Sequence, residues 1–222
     1  MEFKHISGRI IIHKSTGSMT LNCSRKWIHK LDQFIRSILP ERSICIDRSG
    51  EGAVLGPIIF VALLLDKDDY MKLIKENVRN VTQIRGKDAK RRRAYMAEKI
   101  LRVLSPDSIA IMKVSPEEYN VLHRSGYHHF QIINKFLRTF LRELPLKGAK
   151  IFLNNFKGAE NIITELNAEM RPRNDEIRVG VAAASLIAWY TWEREMERIR
   201  DEEDIGSGYL TDPKTRSYIE EY

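Results

Sequence analysis

Cysteine is scarce in this chain: Cys23 and Cys45 stand alone among 222 residues. Two thiols with no Cys-x-x-Cys spacing exclude a disulfide framework and a thiolate metal site, and point to a reducing, cytoplasmic setting. Long hydrophobic runs are missing as well. The longest, Ile58 to Leu65, is far too short to span a bilayer, and Met1-Glu2-Phe3-Lys4-His5 has no signal-peptide core, so no membrane association is expected. Acidic residues are the minority, 30 Asp and Glu against 37 Lys and Arg, with a pI near 9.4. That balance favours a polyanionic partner such as nucleic acid over an acidic substrate. Repeats and low-complexity segments are absent, and an apolar content of 43% allows one full core with a small appendage.

The centre of the sequence is Ser43-Ile44-Cys45-Ile46-Asp47-Arg48-Ser49-Gly50-Glu51-Gly52, followed by Gly56-Pro57 and the apolar run from Ile58. A strand that ends in an acid, then a Gly-x-Gly turn, then a second strand brings that acid and free backbone N–H groups to one sheet edge. Such an edge suits a metal ion and a phosphate. Before it, Ile6 to Cys23 reads as a hairpin, and Trp27, Ile28, Leu31, Phe34, Ile35 and Ile38 recur at helical spacing until Pro40. Residues 1–40 are therefore expected to form a strand-strand-helix appendage whose outer positions carry Arg9, His13, Lys14, Arg25, Lys26 and Lys30.

Beyond the two core strands, Tyr70 to Val78 predicts a short helix. Arg85, Lys87, Lys90, Arg91, Arg92, Arg93, Lys99 and Arg102 then form a cationic ridge on a helix expected from Asp88, which could cap it. A ridge of this kind meets nucleic-acid backbone through charge without reading sequence. Ser108 to Val114 predicts a strand, and Ser115-Pro116-Glu117-Glu118 a helix start with capping-box spacing. Phe130, Ile133, Leu137, Phe140, Leu141 and Leu144 line a second helix. His128 and His129 are adjacent, so on a helix they diverge and do not clamp a metal. Ala149 to Leu153 predicts a strand ending at Asn154, and Glu160 to Met170 a helix. Arg171 to Glu176 reads as a turn. The small residues from Val179 to Ser185 let the following helix pack tightly on a sheet.

Three segments together resemble the type 2 ribonuclease H family, ribonucleases HII and HIII. The family's D-E-[AS]-G-[RK]-G motif and following Gly-Pro stand here as Asp47-Arg48-Ser49-Gly50-Glu51-Gly52 and Gly56-Pro57. Its A-A-A-S-[IL]-I-A helix is Ala182 to Ala188, and its G-S-G-Y-x-[ST]-D-P loop is Gly206 to Pro213. The appendage is similar, over a short stretch, to the TATA-binding-protein-like domain that precedes ribonuclease HIII.

The resemblance implies an α/β fold, a ribonuclease H-like mixed central sheet flanked by helices over 43–222, with the small N-terminal hairpin-plus-helix appendage. It also implies hydrolysis of RNA in RNA–DNA hybrids by four carboxylates around two divalent metals. Two of these carry over, as Asp47 and Asp175. The other two positions hold Arg48 and Asn154, which changes the side-chain charge of the site from about −4 to about −1 and leaves two metals poorly neutralised. The family's Gly-x-Gly backbone and loop tyrosine, which read the ribose 2′-hydroxyl and the RNA–DNA junction, fall on Gly50, Glu51, Gly52 and Tyr209.

With Arg85, Lys87, Arg91 and Arg92 these residues predict a protein that binds RNA–DNA hybrid or RNA, needs no cofactor and has lost hydrolysis. An alternative is an active ribonuclease using a single Mg2+ or Mn2+ held by Asp47, Asp175 and a Glu51 turned toward them. A structural subunit that presents the old fold to a protein partner is the third reading.

Overall fold

A computed structural model describes residues 9–13, 18–22, 25–170 and 175–221, with side chains over 29–170 and 178–221. The chain divides into two compact units, Met1–Leu39 and Pro40–Tyr222. In the first, β1 (Arg9–His13) pairs antiparallel with β2 (Ser18–Asn22), Ile11 opposite Thr20, and α1 (Arg25–Ile38) follows. The hairpin turn and the side chains of Arg9, His13, Lys14, Arg25 and Lys26 lie outside the described residues.

The second unit is built on a five-stranded sheet in the order β5-β4-β3-β6-β7. Its strands are β3 (Arg42–Ser49), β4 (Ile58–Asp66), β5 (Ile109–Val114), β6 (Lys150–Leu153) and β7 (Glu169–Met170). β3, β4 and β5 form an antiparallel meander, and β6 and β7 run parallel to β3. β4 is apolar at every position from Ile58 to Leu65 because helices cover both faces of the sheet, so strict alternation gives way to a continuous run.

On one face, α5 (His129–Arg142) and α6 (Glu160–Leu166) bury Ile44, Ile46, Phe60, Phe140, Ile151, Leu153 and Phe156 in a single core. Across the other face runs α7 (Asp175–Glu202), which packs on β3 and β4 and is flanked by α2 (Lys67–Lys75) and α3 (Ala89–Val103). The helices α4 (Pro116–Arg124) and α8 (Pro213–Glu221) complete the unit.

Local chemistry accounts for most of the element boundaries. Asp66 and Asp69 cap α2 reciprocally, the Asp69 N–H donating to Asp66 Oδ1 at 2.9 Å, which starts that helix three residues earlier than its apolar pattern suggests. Ser115 and Glu118 form the anticipated box on α4. Asp88 makes no side-chain cap on α3, because its near-helical backbone (φ −97°, ψ 19°) keeps its carboxylate off the first turn's N–H groups. The expected helix from Glu160 to Met170 is shorter. Asn167 enters the left-handed region at φ 47°, Ala168 N–H returns to the Ile163 carbonyl, and the chain is released in time to add β7 beside β6. Of the turn expected from Arg171 to Glu176, Asp175 and Glu176 instead open α7, and 171–174 lie outside the described residues.

Close helix-to-sheet contact is concentrated at Gly180. A Cβ there would stand 2.6 Å from Cys45 Sγ and 2.9 Å from Leu65 Cδ1, both deeply buried. Gly180→Ala is therefore expected to lower stability by about 1–2 kcal/mol, overpacking outweighing the helix-propensity gain. Urea unfolding should show a smaller loss when the same change is made in a Cys45→Ala background.

Candidate functional site

The strand alternation of β3 divides the residues at its C-terminal end between the two faces of the sheet. Ser43 and Cys45 look toward α2 and α7, where Tyr70 OH lies 2.9 Å from Ser43 Oγ and 3.2 Å from Cys45 Sγ. Burial pushes the Cys45 thiol up to about 12, so it is an inert core residue. Asp47 follows on the same face and is 5% exposed. Asn154, just past β6, is drawn alongside it by parallel pairing, its N–H donating to the Ile46 carbonyl at 3.0 Å.

Both Asp47 oxygens are taken. Oδ2 accepts from Asn154 Nδ2 at 2.7 Å and Oδ1 from the Arg48 N–H at 2.8 Å, and the Ser185 hydroxyl of α7 adds a further hydrogen bond. Burial nevertheless raises its carboxyl above the ordinary value of 3.8, outweighing these hydrogen bonds and the Arg48 charge.

Arg48 goes to the other face. Its guanidinium lies 4.1 Å over the Phe156 ring, pairs through Nη2 with Glu51 Oε2, and donates from Nη1 to the Asn155 carbonyl at 2.9 Å. The side chain is 5% exposed and Nε has no partner. Glu51 does not turn toward Asp47. Its second oxygen meets His129 Nε2 at 3.0 Å, and His129 Nδ1 lies 2.9 Å from Tyr119 OH. This polar chain ends in a cleft of about 310 Å³ lined by Gly50, Gly52, Ser115, Tyr119, Asn120 and His129.

The Gly-x-Gly turn is shaped for close approach. Gly50 has φ 88°, and a Cβ on it would meet the Pro57 carbonyl at 2.3 Å and the Trp192 indole at 2.7 Å. Gly52, at φ 89°, faces open space. The late loop is fastened to this turn, Val54 N–H donating to the Gly208 carbonyl at 2.8 Å. Asp212 shapes that loop by accepting from Ser207 N–H at 2.6 Å. Half-buried Tyr209 thereby stands with its ring 5.5 Å from Trp192, itself buried with Nε1 unpartnered.

The cationic ridge is partly consumed internally. Lys90 pairs with Glu193 and Glu197 on α7, Arg92 donates to the Arg85 carbonyl, and Arg93 donates to the Ile84 carbonyl beneath Trp189. Arg85 is exposed and bonded through Nε to Thr82. Lys87 and Arg91 have no partner among the described residues.

A two-metal centre fits this donor set poorly. Hard divalent ions need several carboxylate oxygens, while here one carboxylate is hydrogen-bonded at both oxygens and the neighbouring positions offer an amide and a guanidinium. Among the described residues no three His, Cys, Asp or Glu side chains converge to hold an ion. Asp175 opens α7 ten residues before Ser185, about 15 Å along the helix axis, and its side chain lies outside those described. Sequence reasoning missed His129, Tyr119, Ser185 and Trp192. The signal available was the opposite charge of Arg48 and Glu51 across a tight turn.

The family model for ribonuclease HII matches residues 44–222. The ribonuclease HII of Thermococcus onnurineus is 30% identical over 188 residues, covering 80% of this chain and 78% of that protein. The chain belongs to the ribonuclease HII family. A structure of a PCNA:RNase HII complex from Archaeoglobus fulgidus shares 28% identity at a TM-score of 0.63, covering 81% of this chain and 87% of that one. The ribonuclease H2 of Pyrococcus horikoshii OT3 shares the fold, with a TM-score of 0.67 at 24% identity over 82% of this chain and 86% of that one. The mixed sheet flanked by helices is thus the ribonuclease H-like architecture.

Two outcomes follow from the split at β3. Because the native state holds the Asp47 proton more tightly than the unfolded chain, stability falls as pH rises from about 3.8 through the raised native value. Asp47→Asn should therefore be more stable than the parent at pH 7 and indistinguishable below the ordinary carboxylate range, as read from urea midpoints. Glu51→Gln, which strands the sealed Arg48 charge, should cost about 2–3 kcal/mol in unfolding free energy, and Arg48→Met distinctly less.

Proposed function

We propose that this ribonuclease HII relative binds RNA–DNA hybrid, or RNA, and does not hydrolyse it. The observation that carries this reading is the company Asp47 keeps: an amide, Asn154, and the Arg48 N–H meet its oxygens where a two-metal site would gather further carboxylates, and the Arg48 guanidinium is paired away with Glu51.

Binding is supported by what stays open. The Gly50–Gly52 turn exposes backbone, Tyr209 stands beside it on Trp192, and Lys87 and Arg91 are free to meet phosphates. Lys90 and Arg93 tie the N-terminal half of α3 to the Trp189–Glu193 stretch of α7, adjoining the turn that Trp192 supports. Asp47 and Asp175 are assigned as retained carboxylates without a metal-holding role. By analogy with the Archaeoglobus protein in its complex with PCNA, a protein partner is a further part of this reading, as is a reducing cytoplasmic location.

The test is to incubate the protein with labelled hybrid and millimolar Mg2+ or Mn2+, then separate the products on native and denaturing gels. Intact hybrid should be retained by the protein. In a salt titration, Lys87→Ala with Arg91→Ala should reduce the log–log slope by about 2. Cleavage that disappears in Asp47→Asn would overturn the loss of hydrolysis. Retention unaffected by salt would overturn nucleic-acid binding.

A further inference from the structure

Charge is segregated along α4 and α5. No Asp or Glu stands between Glu118 and Glu143, a stretch that carries His123, Arg124, His128, His129, Lys135, Arg138 and Arg142. On this stretch two large aromatic rings are exposed, Tyr127 at 39% and Phe130 at 42%. Each has an ammonium group against its face: Lys135 Nζ lies 4.5 Å from the Tyr127 ring centroid and Lys157 Nζ 5.9 Å from that of Phe130. Neither lysine has an ion-pair partner among the described residues, whereas Arg138 is spent on Glu165.

The Phe130 ring is built into the fold. Phe130 sets an edge against His129 at 5.3 Å between centroids. The loop that carries Lys157 is tied to α5, Asn134 Nδ2 donating to the Gly158 carbonyl at 2.6 Å, and Gly158 comes so close that a Cβ on it would lie 3.5 Å from Phe130 Cβ. The patch is continuous with the Arg48 side of the site. Phe156, on which Arg48 lies, precedes Lys157, and His129, which holds Glu51, precedes Phe130.

Rings flanked by ammonium groups, on a surface whose acids Glu51 and Glu165 are paired with His129 and Arg138, match a nucleotide: the base stacks and the phosphate takes the cation. A duplex hides its base faces in the stack, so paired strands would leave the aromatic surface unused. We propose that Tyr127, Phe130, Lys135 and Lys157 form a stacking platform for an unpaired nucleic-acid strand, running on from duplex held at the Asp47 edge. The duplex part rests on the function proposed above; the platform does not.

Fluorescence anisotropy on the full chain tests this with three probes: blunt RNA–DNA hybrid, the same hybrid with a single-stranded overhang of about ten nucleotides, and oligo-dT alone. The overhang should tighten binding about tenfold, a gain of the size that base–aromatic stacking supplies. Tyr127→Ala with Phe130→Ala should abolish the gain and weaken oligo-dT while leaving blunt hybrid unchanged, and Lys135→Gln with Lys157→Gln should reduce the gain and its salt dependence. The lysine double variant should unfold at the parent's midpoint, and any lowering in the aromatic variant is separated from a binding effect by its unchanged affinity for blunt hybrid. An overhang that adds nothing, or a gain that survives the aromatic double variant, overturns the platform. Oligo-dT bound through these residues without any binding of blunt hybrid upholds the platform and removes the proposed function instead.

Discussion

A β-strand turns successive side chains to opposite faces, and at the end of β3 that constraint separates Asp47 from Arg48. Asp47 is delivered beneath α7, where Ser185 and Asn154 meet it. Arg48 is delivered beneath α5, onto Phe156 and against Glu51. The rest of the site follows from that division. An acid on one face is satisfied by neutral donors, and a cation on the other by a carboxylate three residues on. The two opposite charges are joined by a backbone N–H and are otherwise committed to different neighbours.

The energetic cost is carried differently on the two faces. A carboxylate deprived of water is made tolerable by hydrogen bonds that still fall short of full compensation, so its proton is held more tightly than in solution. The guanidinium is made tolerable by a carboxylate, a carbonyl and an aromatic face, with one N–H left over. A cradle for hard divalent ions needs several carboxylates turned inward, and among the described residues no three His, Cys, Asp or Glu side chains converge in that way.

The turn and the late loop are held independently of the charges at Asp47 and Arg48. Gly50 requires a left-handed backbone because Pro57 and Trp192 leave no space for a side chain. Gly208 fastens the late loop to the turn, holding Tyr209 beside Trp192. These contacts are packing and backbone hydrogen bonds. On and just before α3, by contrast, much of the apparent cationic surface is satisfied by α7 and by local carbonyls, leaving Lys87 and Arg91 without a partner among the described residues.

How much the sequence disclosed depends on the range of the interaction concerned. Apolar β4, the capping pair Ser115 and Glu118, the small-residue face from Val179 to Ser185 and the glycine turn were legible because each is a local pattern with a local physical cause. The two-residue β7 was not, since no periodicity exists over two residues and its formation depends on β6 being alongside. Asp88 as a cap failed because backbone angles, not residue type, decide whether its oxygen reaches an N–H. By itself the sequence determined that Asp47 would lie toward the end of a central strand, which in the structure runs on to Ser49, and that a glycine turn and a tyrosine loop were present. Only the tertiary structure decided where Glu51 would go, that Asn154 would close Asp47, and that His129 would join Arg48 through Glu51. Those contacts link residues as many as 107 positions apart, and it is sheet pairing and helix packing, not spacing along the chain, that brings them together.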